Sequence, residues 1–154
     1  MDIQKLLAQS VIKINLQAQT RDEAFKELAS LLHEKNIITD PDDTFKRLLH
    51  RESMASTAIG EGFAIPHANI SNLEEVSLAI GKSDKGIDFS AIDAQKVYLI
   101  MMVLFPEGKE KLHVQILARF ARILKSEKNR LELKNSQSPD EIRRVFQTQN
   151  AEVD

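Results

Sequence analysis

No cysteine occurs among the 154 residues, which excludes disulfides, a thiolate nucleophile and any cysteine metal site. Charge of one sign is missing too, since 21 Lys and Arg face 23 Asp and Glu for a formal net charge of −2. Without a positive field, and without a Lys/Arg-rich stretch interleaved with aromatics, no binding of nucleic acid is expected. The longest apolar run, Val97 to Phe105, is far too short to cross a bilayer as a helix, so no membrane insertion is expected. The first residues, MDIQKLLAQSVI, show no basic segment followed by an apolar run, so the chain reads as cytoplasmic.

Chemical motifs are sparse as well. Gly60-Glu61-Gly62 looks like half of a phosphate loop but has no Lys-Ser/Thr ending, which argues against a bound nucleotide. No G-x-S-x-G elbow and no H-E-x-x-H pair occurs. Zinc held by His67, His113 and Glu61 is disfavoured because no two of these ligands are close in the chain. Neither a metal nor a cofactor is expected.

Apolar residues make up 42% and charged residues 29% of the chain, as in ordinary globular proteins. Strand and helix periods alternate without an internal repeat or linker, so residues 1–154 read as one α/β domain, a central mixed sheet with helices on both faces. Ile12, Ile14 and Leu16 alternate as a strand. Thr20 and Glu23 form a capping box for a helix burying Ala24, Phe25, Leu28, Leu31 and Leu32. Asp40 and Pro41 start a second helix burying Phe45, Leu48 and Leu49.

Met54 to Gly62 has no period and reads as loop. VSLAIGK and DKGIDF read as two strands, and KVYLIMMVLF as a central strand covered on both faces. A long helix follows with Ile116, Leu117, Phe120, Ile123 and Leu124 inward. Ser138, Pro139 and Glu141 open a last helix, with Asn150 to Asp154 read as a frayed end.

Of four histidines, His33 and His50 fall near helix ends and read as solvated or dipole-pairing. His67 is different: Phe63, Ala64 and Ile65 run apolar into Pro66, which removes a donor and holds the chain extended, so the ring stands on a rigid perch. His113 lies in the first turn of the long helix, in the row of Leu117, Phe120 and Leu124. By spacing alone, a core histidine satisfied by a carbonyl is favoured there. Arg51 has the planar fork suited to phosphate, although an arbitrary arginine is more often a surface charge.

The stretch RESMASTAIGEGFAIPH, with PEGKEKLHVQILARFARIL far downstream, resembles the enzyme IIA domain of the bacterial phosphoenolpyruvate-dependent phosphotransferase system, fructose and mannitol class. Within that class the free-standing nitrogen-regulatory enzyme IIA is the nearest likeness. The similarity covers nearly the whole chain and includes GIDFSAIDAQKV. The resemblance implies that His67 accepts the phosphoryl group, that His113 lies beside it, that Arg51 is the site arginine, and that Ser56 and Thr57 border the phosphoryl group. Ala58 and Ala68 stand where some members carry glycine.

It further implies a phosphohistidine intermediate and a donor, the histidine phosphocarrier protein, itself charged from phosphoenolpyruvate through enzyme I. Donors on the 56–62 loop would meet the added charge, and Phe63 and Ile70 could line an apolar rim for the partner. Two outcomes follow. A regulatory protein would present different surfaces to a target protein with and without the phosphoryl group. A sugar-specific enzyme IIA would pass the group to an enzyme IIB. The sequence shows no attached enzyme IIB or membrane segment, which favours the regulator.

Overall fold

The computed structural model describes residues 3–89 and 95–153, the side chains of 110 and 149–153 excepted. In chain order it contains α1 (Ile3–Ala8), β1 (Val11–Lys13), α2 (Arg21–Glu34), α3 (Pro41–Met54), β2 (Ala58–Gly60), β3 (Phe63–Ala64) and β4 (His67–Ile70). There follow β5 (Ser77–Ile87), β6 (Val97–Pro106), α4 (Glu110–Leu124), α5 (Glu127–Lys134) and α6 (Pro139–Val153). Residues 90–94, part of the GIDFSAIDAQKV stretch, and Asp154 lie outside the described residues.

The six strands form one mixed sheet in the order β1-β5-β6-β3-β2, with β4 also paired to β6. β6 runs antiparallel to β5 and parallel to β3 and β4. It is apolar throughout because both its faces are covered. Leu99, Met101, Val103 and Phe105 pack with Leu6, Leu7, Ile116, Phe120, Leu133 and Phe146 from α1, α4, α5 and α6. Ile100, Met102 and Leu104 pack with Phe25, Leu28, Leu32 and Leu48 from α2 and α3. Each such side chain contributes about 1.5–3 kcal/mol by leaving water, which makes β6 the anchor of the fold.

The helix starts follow their capping residues. Thr20 accepts the Glu23 N–H, while the Glu23 carboxylate takes the N–H of Gln19, one residue outside the usual reciprocal box. Asp40 accepts the Asp43 N–H ahead of Pro41, and Ser138 accepts the Glu141 N–H.

Several expectations are corrected. VSLAIGK and DKGIDF are one bent strand, β5, with an irregular register between Lys82 and Ile87. The first strand is shorter than its alternation suggested: Ile12 and Ile14 pack on the α4–α6 side, whereas Leu16 packs with α2 and α3. Leu16 there covers Gly81, where an added Cβ would stand 2.5 Å from a Leu16 methyl carbon. α6 stays helical to Val153 instead of fraying at Asn150. The stretch 54–62 is not all loop, because Met54 ends α3 and 58–60 forms β2.

Gly60-Glu61-Gly62 is the turn that joins β2 to β3. All three residues have positive φ, at 88°, 57° and 92°, a conformation that glycine adopts without cost. Beyond it, residues 63–70 run beside β6 as two strands interrupted at Ile65 and Pro66, with the Val103 N–H bonded to the Pro66 carbonyl.

Candidate functional site

His67 is the first residue of β4, paired with Val103 on β6 and half-buried. Its Nδ1 lies 2.9 Å from the Ile65 carbonyl. A carbonyl can only accept, so Nδ1 carries the proton and Nε2 holds the lone pair. Burial holds the imidazole below its ordinary value of 6.5; the bond to Ile65 opposes this, the Arg51 charge reinforces it and Glu52 works against it. The ring is neutral at pH 7.

A cavity of about 470 Å³ opens over this ring, lined by Lys46, Arg47, His50, Arg51, Met54, Ala68 and Asn69 together with His67 and His113. Three of the sequence-predicted residues, Arg51, His67 and His113, thus meet around one space. They come from α3, β4 and α4, and β4 and the end of β6 hold the last two together. Among the described lining residues none is acidic; Arg47 is paired with Asp43 and Glu107, which leaves Lys46 and Arg51 as the lining cations that favour an anion.

Arg51 sits in the last turn of α3, its Nη1 donating to the Ala55 carbonyl at 2.8 Å. His113 is in the first turn of α4 and lies against Phe105, with ring centroids 3.7 Å apart and planes 31° from parallel. Its imidazole is therefore both packed and at the cavity wall. The start of α4 adds favourable potential for negative charge.

Ser56 and Thr57 are not among the lining residues. Ser56 is exposed and its Oγ accepts the Ala58 N–H at 3.1 Å. Thr57 is only 6% exposed, and both its N–H and its hydroxyl donate to the buried Glu52 carboxylate. These bonds tie the chain after α3 back to the helix. The Gly60–Gly62 turn is remote from His67, because Gly62 sits at Tyr98 and Leu99 while His67 sits at Val103, about 13 Å farther along β6. The expected apolar rim is also different: Phe63 and Ile70 are 1% and 5% exposed. The large apolar side chain exposed at the cavity is instead Met54, at 67%.

Lys46, Arg47, His50 and Met54 were not singled out as site residues from the sequence. The signal existed, since Arg47, Arg51 and His50, Met54 are four apart on one helical face. Reading His50 as a solvated helix-end residue was sound for its exposure but missed which surface it faces.

Residues 5–149 match the sequence profile of the family described as phosphoenolpyruvate-dependent sugar phosphotransferase system, EIIA 2. A nitrogen regulatory protein of Bradyrhizobium diazoefficiens is 34% identical over 95% of this chain and 95% of its own length. The fructose-specific EIIABC component of Bacillus subtilis is 32% identical over 92% of this chain, which spans 22% of that protein's length. Among solved structures, the nitrogen regulatory protein IIA-Ntr from Neisseria meningitidis superposes with a TM-score of 0.82 at 27% identity, covering 94% of this chain and 98% of that one. Among the described residues, no helix is long and apolar enough to cross a membrane.

Proposed function

This chain belongs to the phosphoenolpyruvate-dependent sugar phosphotransferase system EIIA 2 family, and from that membership we propose that it is a cytoplasmic phosphocarrier that takes a phosphoryl group on Nε2 of His67. The observation that carries this reading is the Nδ1 hydrogen bond to Ile65, which leaves Nε2 unprotonated on a ring that lines the cavity beside Arg51. Residues 1–154 act as one phosphotransferase domain.

The donor is the histidine phosphocarrier protein in its phosphohistidine form. Nε2 of His67 attacks phosphorus in line, the new N–P bond forms as the donor's N–P bond breaks, and the electron pair leaves with the donor imidazole. No proton has to move from Nε2, so no general base is required. Arg51 meets the phosphoryl oxygens, and His113 with the start of α4 meets them from the other wall. Met54, exposed at the cavity, offers apolar contact to the docked protein.

Downstream of this step, a nitrogen-type regulatory role is preferred. Its support is the pairing of 34% identity at 95% coverage of both chains with the TM-score of 0.82 to IIA-Ntr. A phosphate adds about −1.5 to −2 charge to the cavity and would change which target protein the surface accepts. The second reading, passage of the group to an enzyme IIB for fructose- or mannitol-type uptake, has its own support in the 32% identity to a fructose-specific component.

Incubation with phosphoenolpyruvate, enzyme I and phosphocarrier protein, followed by intact mass measurement, tests the acceptor. Wild-type protein is expected to gain one phosphoryl group and His67→Ala none; full phosphorylation of that variant overturns the assignment. Rapid passage of the group to a sugar-type enzyme IIB favours the second reading.

A further inference from the structure

The guanidinium of Arg47 joins three elements that build the candidate site. Nε donates to Asp43 Oδ2 on its own helix at 2.8 Å. Nη1 donates to the Asn69 carbonyl at 3.1 Å and to Glu107 Oε1 at 2.9 Å, and Nη2 to Ser71 Oγ at 2.9 Å. Ser71 donates in turn to the same Glu107 oxygen at 3.1 Å. Asn69 and Ser71 follow His67 on β4 and just beyond it, and Glu107 lies between β6 and α4, the helix that carries His113. Arg47 itself lines the cavity one helical turn before Arg51.

We propose that Arg47 is a positioning residue for phosphoryl transfer, clamping the exit of β4 and the turn before α4 to α3, and so setting His67, His113 and Arg51 at their working separation. The proposal rests on His67 being the acceptor. A mainly stabilising role is a poor account of this network, because Arg47 and Glu107 are substantially exposed and such ion pairs contribute little. What the planar fork supplies is direction: three acceptors distant from Arg47 in sequence are held by one rigid group, which a flexible ammonium cannot reproduce. With Arg47 bound to these acceptors, Arg51 remains the arginine able to turn toward an incoming anion. Hydrogen bonds from Arg47 and Ser71 also hold the Glu107 carboxyl below its ordinary range, so the clamp stays charged at neutral pH.

The site depends on separations across the cavity, and in-line transfer is sensitive to shifts of an ångström. In transfer from the phosphorylated phosphocarrier protein, Arg47→Ala is expected to lower kcat about ten- to a hundredfold with little change in KM. Glu107→Gln should lower kcat in the same direction, and Arg47→Lys should recover little. The double variant Arg47→Ala with Glu107→Gln should lose no more than Arg47→Ala alone. In the unphosphorylated protein, Arg47→Ala and Glu107→Gln are expected to shift the imidazole ¹⁵N resonances of His67 and His113.

A lowered melting temperature with normal kcat and unshifted rings makes Arg47 a structural tie and overturns the proposal. A raised KM with normal kcat makes it a docking charge and does the same. Should Arg47→Ala fail to fold, Glu107→Gln and Ser71→Ala decide by the same two readouts. Wild-type protein that takes up no phosphoryl group overturns the acceptor assignment. Wild-type uptake with unaffected Glu107→Gln and Arg47→Lys overturns the clamp alone.

Discussion

His67 is hydrogen-bonded through Nδ1 to the carbonyl of Ile65, two residues earlier and across Pro66, so the backbone that carries the ring also selects its tautomer. Proline has no N–H to compete for that carbonyl and holds its own φ, which keeps donor and acceptor in place. The imidazole therefore needs no partner side chain to present Nε2.

Because burial and the Arg51 charge lower the His67 pKa below 6.5 in the folded protein, the unfolded chain binds a proton that the native state refuses between the two values. The contribution of His67 to stability is thus complete above 6.5 and is lost as pH falls from 6.5 through the lowered folded value. Thermal melts from neutral to mildly acidic pH are expected to show a steeper decline for wild type than for His67→Gln. Equal declines would assign the acid sensitivity to other groups.

Arg51→Ala removes one cause of the lowered His67 pKa, so NMR titration should find the imidazole moved toward 6.5. The same variant is expected to slow phosphoryl transfer by about a hundred- to a thousandfold, the range for loss of one charge-stabilising donor. Arg51→Lys should restore the titration shift better than the rate, since a point charge has no planar fork. A normal rate in Arg51→Ala would return this residue to the ordinary surface charges.

Thr57→Val deletes a hydroxyl that donates to the buried Glu52 carboxylate while keeping the side-chain shape. A hydrogen bond to a charged group contributes about 1.5–3 kcal/mol, and urea denaturation should register a loss of that size. Phosphoryl transfer should change little, because Thr57 does not line the cavity. Unchanged stability with a reduced rate would instead make Thr57 a phosphoryl contact, the role its motif position implied.

His113 is packed on Phe105 and also lines the cavity, so its two roles separate by substitution. His113→Ala should lower both melting temperature and transfer rate, because contact with a buried ring is lost along with a donor. His113→Gln, which keeps a donor, should recover more rate than stability. Early melting with wild-type transfer in both variants would remove His113 from the site.

Much of this molecule was written locally in its chain. The capped starts at Thr20, Asp40 and Ser138 and the unbroken apolar run of β6 are patterns that short-range sterics and two-sided burial impose wherever they occur. His67 was legible for the same reason, since the F-A-I-P-H order alone produces the break in the strand and the perch. α1 and α5 were not, because six residues bearing Ile3, Leu6 and Leu7, or eight with only Leu131 and Leu133 apolar, show too few turns for a period to stand out; tertiary packing decides whether such segments are helical.

What only the fold decided is which distant residues share a space. Spacing made His113 a core histidine; it is half-buried against Phe105, and the parallel pairing of β4 with β6, the strand that leads into α4, puts it at the His67 cavity. The pairing of β3 with β6 carried the G-E-G turn away from that cavity. The fold also brought Arg47, an unremarked helix residue in sequence, against Asn69, Ser71 and Glu107. A motif specifies chemistry through neighbours in the chain, whereas a cavity wall is assembled from strands whose register depends on burying β6 between two helical layers.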